Sequence, residues 1–199
     1  KDVSTGLTFS STYAAPDGST IVNPLTSLIA AQLSSSTATA TEIAAAQTKV
    51  LASLGVTLPT GSSLLTYDPL AVSSDSATAW ATAVAVQKVA AQVANTIQVL
   101  ASAATGTDTS MSNATAGMAA LTALASTVSA GTTIDLSTSA SISSIGSTMT
   151  NTLVSAGTWT TANGALVSGQ VTAAATSLAT INTAINNISA TTGSTASVW

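Results

Sequence analysis

The chain has 199 residues, of which only three are basic and seven acidic, and it contains neither histidine nor cysteine. This composition excludes thiol chemistry, imidazole catalysis and the basic surfaces that neutralise nucleic-acid phosphates. Ser and Thr are abundant, but hydrophobic residues make up 46% of the chain. This hydrophobic content indicates a folded domain rather than a mucin-like stalk. No apolar run is long enough to predict a transmembrane segment.

The N-terminal part of the chain has a pattern typical of strands. Residues 6–23 mix apolar side chains with Ser and Thr around the turn sequence Pro16–Ser19, which predicts a short β-hairpin. An isolated hairpin is marginally stable in water, so we expect it to pack on the helices or to pair with another chain. We therefore divide the chain into an extended or hairpin segment, 1–23, and a helical bundle domain, 24–199.

Two short helices are predicted next. Pro24 suits the first turn of a helix, and a second helix is expected from about Thr39 to Leu54, with Gly55 at its C-terminal cap. The following connection, residues 55–74, is too apolar for a solvated loop, so we expect it to wrap over the core. Its apolar side chains are Leu58, Leu64, Leu65, Tyr67 and Leu70.

Four longer amphipathic helices are predicted after Asp75, with breaks at Thr105–Asp108, Gly131–Asp135 and Gly157–Trp159. Apolar residues recur at steps of three and four along each of them. In chain order the expected buried residues are Val86, Val89, Val93, Ile97 and Leu100; Met111, Met118, Leu121, Ala125 and Val128; Ile142, Ile145, Met149 and Leu153; and Val167, Val171, Ala174, Leu178, Ile181, Ile185 and Ile188. The predicted fold is mainly α, an elongated up-and-down bundle of five or six helices with a short N-terminal β-hairpin.

The few charged residues indicate structural roles. Asp75, Asp108 and Asp135 precede predicted helices, where carboxylates cap helix starts or form turns. Glu42 and Lys49 share one solvated helix face, and no serine is marked as a lysine-activated nucleophile. We therefore predict no catalytic residue, no enzyme activity and no cofactor. Calcium held by two acids that folding brings together is the one metal site left open.

Exposed aromatic and apolar residues are the candidate contact points with partners. The candidate interface residues are Phe9, Tyr13, Ile21, Val22, Trp159 and Trp199. The first four belong to the predicted hairpin, whose edges suit pairing with a neighbouring strand. Trp159 follows a glycine in a break between helices, which suits exposure at an interface, and packing within the chain is the alternative; Trp199 is the last residue of the sequence.

Several short runs resemble a module of large repetitive bacterial surface proteins. Within residues 6–70, the runs Leu7–Thr8, Ala15–Thr20, Val22–Leu28, Ala52–Val56 and Thr66–Leu70 are similar to motifs in adhesin-like proteins exported by type I secretion. The motifs are structural and imply no catalytic residues. The rest of the chain is similar in composition to S-layer and biofilm-matrix proteins. It lacks the Gly-Asp nonapeptides of calcium-repeat proteins, so repeat-type calcium binding is not implied.

Three functions remain open from the sequence. The primary hypothesis is a non-enzymatic extracellular or cell-surface module that self-associates into a surface layer, an adhesin stalk or a filament. The shortage of Lys and Arg also leaves few sites for trypsin-like proteases. The alternatives are a carrier that binds an apolar ligand or pigment between helices, beside Trp80 or Met118, and a glycan-binding adhesin module that uses Trp159. Attached glycans are a further candidate, chiefly O-linked on the Ser and Thr of the surface. The sequons at Asn113 and Asn187 are expected by chance in a chain so rich in Thr, and the second overlaps a predicted core position.

Overall fold

The computed structural model, which describes residues 13–33, 37–72 and 76–190, is mainly helical. The described residues form six helices: α1 (Pro24–Ala30), α2 (Ala40–Ser53), α3 (Ala77–Thr107), α4 (Asn113–Ser129), α5 (Ser139–Ser155) and α6 (Thr161–Asn186). Helices α3 and α5 each contact both α4 and α6, so these four enclose a core, while α1 packs on α2, α3 and α4. The predicted class, a helical bundle, is confirmed.

Hydroxyl and amide side chains define where the helices begin. At each of the six N-termini the capping side chain accepts a hydrogen bond from a backbone N–H of the first turn; the capping residues are Asn23, Thr39, Ser76, Ser112, Thr138 and Thr160. Such a cap contributes about 1 kcal/mol relative to alanine. Uncharged side chains therefore cap all six helix starts, and among the described residues a charged one takes part only at α2, where Glu42 completes the capping box with Thr39.

The predicted N-terminal β-hairpin is wrong where it can be checked, because residues 13–23 contain no strand. The turn itself forms, with the N–H of Ser19 donating to the carbonyl oxygen of Pro16 at 3.2 Å. The residues after the turn then bond elsewhere: the N–H groups of Thr20 and Ile21 donate to the carbonyl oxygen of Leu65 at 2.9 and 3.2 Å. The connection after α2 thus occupies the donors that a hairpin partner needs. Residues 1–12 lie outside the described part of the chain.

The connection between α2 and α3 wraps over the core as predicted, with one exception. Its buried or packed side chains are Val56, Leu58, Leu64, Leu65 and Tyr67. The side chain of Gln47 holds it in place, because its Oε1 accepts bonds from the Ser63 hydroxyl at 2.6 Å and the Leu64 N–H at 3.0 Å. The expectation for Leu70 is wrong: Pro69 is buried instead, and Leu70 is 75% exposed.

The predicted core residues of α3 and α5 are buried or partly buried, which confirms both patterns. In α4 the expectation fails at Met118, which is 46% exposed. That helix turns mainly small residues inward; they include Ala116, Gly117, Ala120 and Ala123. Alanine faces on both sides of α4 let its neighbours approach closely, and Met118 is left outside.

Helix α6 follows the periodicity of a straight helix rather than a heptad. Its buried residues include Val171, Ala175, Leu178 and Asn182, whereas Ile181 is 52% exposed. A strict repeat of 3.5 residues drifts by about 20° per heptad relative to a straight helix. Over the 26 residues of α6 this drift replaces Ile181 with Asn182 at the core, so the predicted burial of Ile181 is wrong.

Two glycines allow α5 and α6 to pack closely. A Cβ on Gly146 of α5 would collide with the side chain of Val171 on α6 and lie 3.2 Å from Leu100 of α3. A Cβ on Gly164 of α6 would lie 2.8 Å from the side chain of Val154 on α5. Both positions therefore require the absence of a side chain, and they fix how α6 sits on its neighbours.

Candidate functional site

Trp159 anchors the start of α6 to the rest of the bundle. The side chain is 4% exposed and lies in the main core, and its Nε1–H donates to the Oδ2 of Asp108 at 3.1 Å. Asp108 begins the connection between α3 and α4, so the bond joins two helix connections. The expectation that Trp159 is exposed, as an interface or glycan-binding residue, is therefore wrong. The break at Gly157 marks a loop, but it does not show that the next aromatic ring folds back inward.

Asp108 is held as a fixed acceptor for Trp159. Its Oδ1 accepts hydrogen bonds from the Ser110 hydroxyl at 2.6 Å and from the Ser110 N–H at 3.0 Å. These bonds, and then the bond from Trp159, keep the pKa of Asp108 below its ordinary value. The predicted turn role is confirmed here. It is also confirmed at Asp135, whose Oδ1 accepts from the Ser137 N–H at 2.9 Å.

The other end of α6 is fixed by polar side chains of α3. Gln92 is 5% exposed, and its Nε2 donates to the carbonyl oxygen of Asn182 at 2.8 Å and to Oδ1 of Asn186 at 2.9 Å. The Nζ of Lys88 donates to the carbonyl oxygen of Asn186 at 2.9 Å. The helix dipole stabilises a cation at this C-terminal end of α6. Asn182 in turn donates to the carbonyl oxygen of Leu136 at 2.8 Å. These contacts were not predicted from the sequence.

With both ends fixed, α6 presents one side to solvent, which we call the α6 outer face. Helical geometry places several exposed residues on it, among them Leu166, Gly169, Gln170, Ala173, Ser177, Thr180 and Ile181. Leu166 is 62% exposed and Ile181 is 52% exposed. Neither α5 nor α6 contains a charged residue, because all the charged side chains of the chain lie within residues 1–135. The α6 outer face is thus neutral and partly apolar.

A second exposed apolar area lies at the end of the N-terminal segment. A groove of about 270 Å³ is lined by Ile21, Val22, Asp68 and Leu70 among others. Val22 is 61% exposed and Leu70 is 75% exposed, while Ile21 is partly buried. The structure therefore brings two candidate interface residues together beside Leu70. Unlike the α6 outer face, this groove includes a carboxylate.

A further candidate interface residue, Tyr13, does not line the groove. Tyr13 is partly buried near the start of the described chain. Phe9 and Trp199 lie outside the described residues. The two residues named for an apolar ligand site are also separated. Trp80 lies in the first turn of α3, whereas the short α3–α4 connection places Met118 beside the last turns of that helix.

Glu42 and Lys49 line a shallow groove of about 230 Å³ between α2 and neighbouring segments. The Glu42 carboxylate accepts hydrogen bonds from the N–H and the hydroxyl of Thr39 at 2.7 and 2.8 Å, which lower its pKa. Lys49 is exposed, with its Nζ 3.4 Å from the Ser129 hydroxyl. Activation of a serine by lysine requires a desolvated lysine, so the pair has the geometry of a surface contact.

Within the described ranges no three acidic side chains come together as metal ligands would. None of the helices there is sufficiently long and apolar to cross a membrane. No protein-family model, curated protein or solved structure matches the chain. The resemblance to modules of bacterial surface proteins therefore stays a prediction.

Proposed function

We propose that the chain is a non-enzymatic structural module that self-associates outside the cell, as a subunit of a surface layer, an adhesin stalk or a filament. The observation that carries the proposal is the separation of charge from α5 and α6, whose surface is neutral and exposes Leu166 and Ile181. A surface without charge offers little electrostatic repulsion between copies, and exposed apolar side chains favour their contact.

The non-enzymatic part of the proposal rests on the residue types and their observed partners. The chain has no imidazole or thiol for nucleophilic or acid–base catalysis. The carboxylates of Glu42, Asp108 and Asp135 are engaged in a cap or in turns. The extracellular part is supported by the scarcity of protease-sensitive Lys and Arg and by the resemblance of residues 6–70 to surface modules.

Sedimentation of the purified chain over a range of concentrations tests the proposal. We expect the average mass to rise with concentration, to nearly the same extent in about 0.01 M and about 1 M NaCl, although the Debye length falls from about 30 Å to about 3 Å. Neutral contacts have no ion pairs for salt to screen. A chain that stays monomeric at every concentration and salt level would contradict self-association.

A further inference from the structure

We propose that the α6 outer face docks onto the same face of a second copy of this chain. The inference rests on the proposed function, because it names the surface through which self-association occurs. Leu166 and Ile181 lie 15 residues apart on this face, about 22 Å along the helix axis at 1.5 Å per residue. They place one large apolar side chain near each end of the contact, with Gln170 and small residues between them.

The distribution of charge selects a second copy as the occupant. The chain carries a net charge of −4, and every charged side chain lies within residues 1–135. Two identical chains therefore repel one another through the surfaces formed by those residues. Contact between two α6 outer faces brings together the parts of each chain that carry no charge, and it leaves no carboxylate or ammonium group to be buried.

Gly169 provides an independent observation. Glycine within a helix costs about 1 kcal/mol relative to alanine, so it requires a reason at that position. At Gly146 and Gly164 the reason lies inside the chain, because a Cβ there would collide with a side chain of the neighbouring helix. A Cβ on Gly169 would meet nothing within 4 Å. The single chain therefore gives no packing reason for a glycine at position 169. Close approach of a helix from a second copy supplies one.

Two threonine hydroxyl groups on this side of α6 are already hydrogen-bonded. The hydroxyl of Thr180 donates to the carbonyl oxygen of Thr176 at 3.0 Å, and that of Thr172, at the margin of the face, donates to the carbonyl oxygen of Ser168 at 2.9 Å. Burying these two groups against another helix therefore leaves neither donor unpaired. Threonine on the α6 outer face contributes chiefly its methyl group to the contact.

Charge substitutions on exposed leucines test the assignment with a matched control. Leu166→Glu adds a carboxylate to the α6 outer face. Leu70→Glu makes the same change at an exposed leucine within residues 1–135, which carry all the charged side chains. We expect Leu166→Glu to weaken self-association by about tenfold or more, since an unpaired carboxylate would be buried, and Leu70→Glu to change it little. Sedimentation gives the association constants, and circular dichroism verifies that both variants fold.

Gly169→Gln adds a second, independent readout. Glutamine is a better helix former than glycine, so this variant is expected to stabilise the isolated chain while it weakens self-association. If the wild type associates but Leu70→Glu weakens association as much as Leu166→Glu, the assigned face is wrong and the proposed function stands. Unchanged association of Gly169→Gln would likewise overturn the face. A wild type that remains monomeric would overturn both.

Discussion

Replacing Trp159 with alanine is expected to lower the free energy of unfolding by about 3–5 kcal/mol. The ring is 4% exposed within the main core, so its removal leaves a large cavity at the start of α6. The variant also removes the Nε1–H that bonds to the Asp108 carboxylate. Because domains of this kind are stable by only about 5–15 kcal/mol, a loss of this size should be clear in urea unfolding at low protein concentration.

Trp80 provides the matched control for this substitution. It is partly buried in the first turn of α3, so Trp80→Ala should cost less than Trp159→Ala. Trp159→Phe should fall between the wild type and Trp159→Ala, since it keeps an aromatic ring in the core but loses the bond to Asp108. Equal losses for the two alanine variants would contradict the anchoring role of Trp159.

Gly146→Ala is expected to destabilise the chain by about 1–3 kcal/mol, although alanine is the better helix former. The added methyl group would collide with Val171, whose branched side chain is stiff, and would crowd Leu100. Helices α5 and α6 would have to separate to accommodate it. Urea unfolding at low concentration measures the change without a contribution from self-association.

Gly169→Ala is the control in the neighbouring helix. Nothing lies within 4 Å of its added Cβ, so the substitution should stabilise the isolated chain by about 1 kcal/mol. The two Gly→Ala changes are therefore expected to have opposite signs. Stabilisation by both would show that α5 and α6 are not in the close contact described here.

The helices were predictable from the sequence because capping residues, glycines and apolar spacing agree at several boundaries. Thr39, Ser76 and Thr160 cap helices at or next to predicted starts, and glycine follows α2 in the left-handed conformation, with φ of 64° at Gly55. The β-hairpin failed for a tertiary reason. Its turn formed, but the donors after the turn bond to Leu65, which is far away in sequence.

The parts of the site that the sequence did not reveal depend on which face of α6 turns inward. Ile181 fits a heptad pattern better than Asn182, yet the buried side chain of Asn182 donates to the carbonyl oxygen of Leu136, and Gln92 donates to the backbone carbonyl oxygen of Asn182. The rotation of α6 follows from these contacts and from Trp159 at its start. Local pattern cannot supply such long-range partners, so the exposure of Leu166 and Ile181 emerged only in three dimensions.

Cross-linking through a single introduced cysteine tests the α6 contact most directly, because the chain has no cysteine of its own. Ala173 lies near the middle of the α6 outer face, where the proposed contact brings two copies together, and Ala44 is an exposed alanine on α2. A disulfide requires Cα atoms about 4.4–6.8 Å apart. Under mild oxidation Ala173→Cys should form a covalent dimer much faster than Ala44→Cys. Equal rates, or faster cross-linking of Ala44→Cys, would contradict docking through α6.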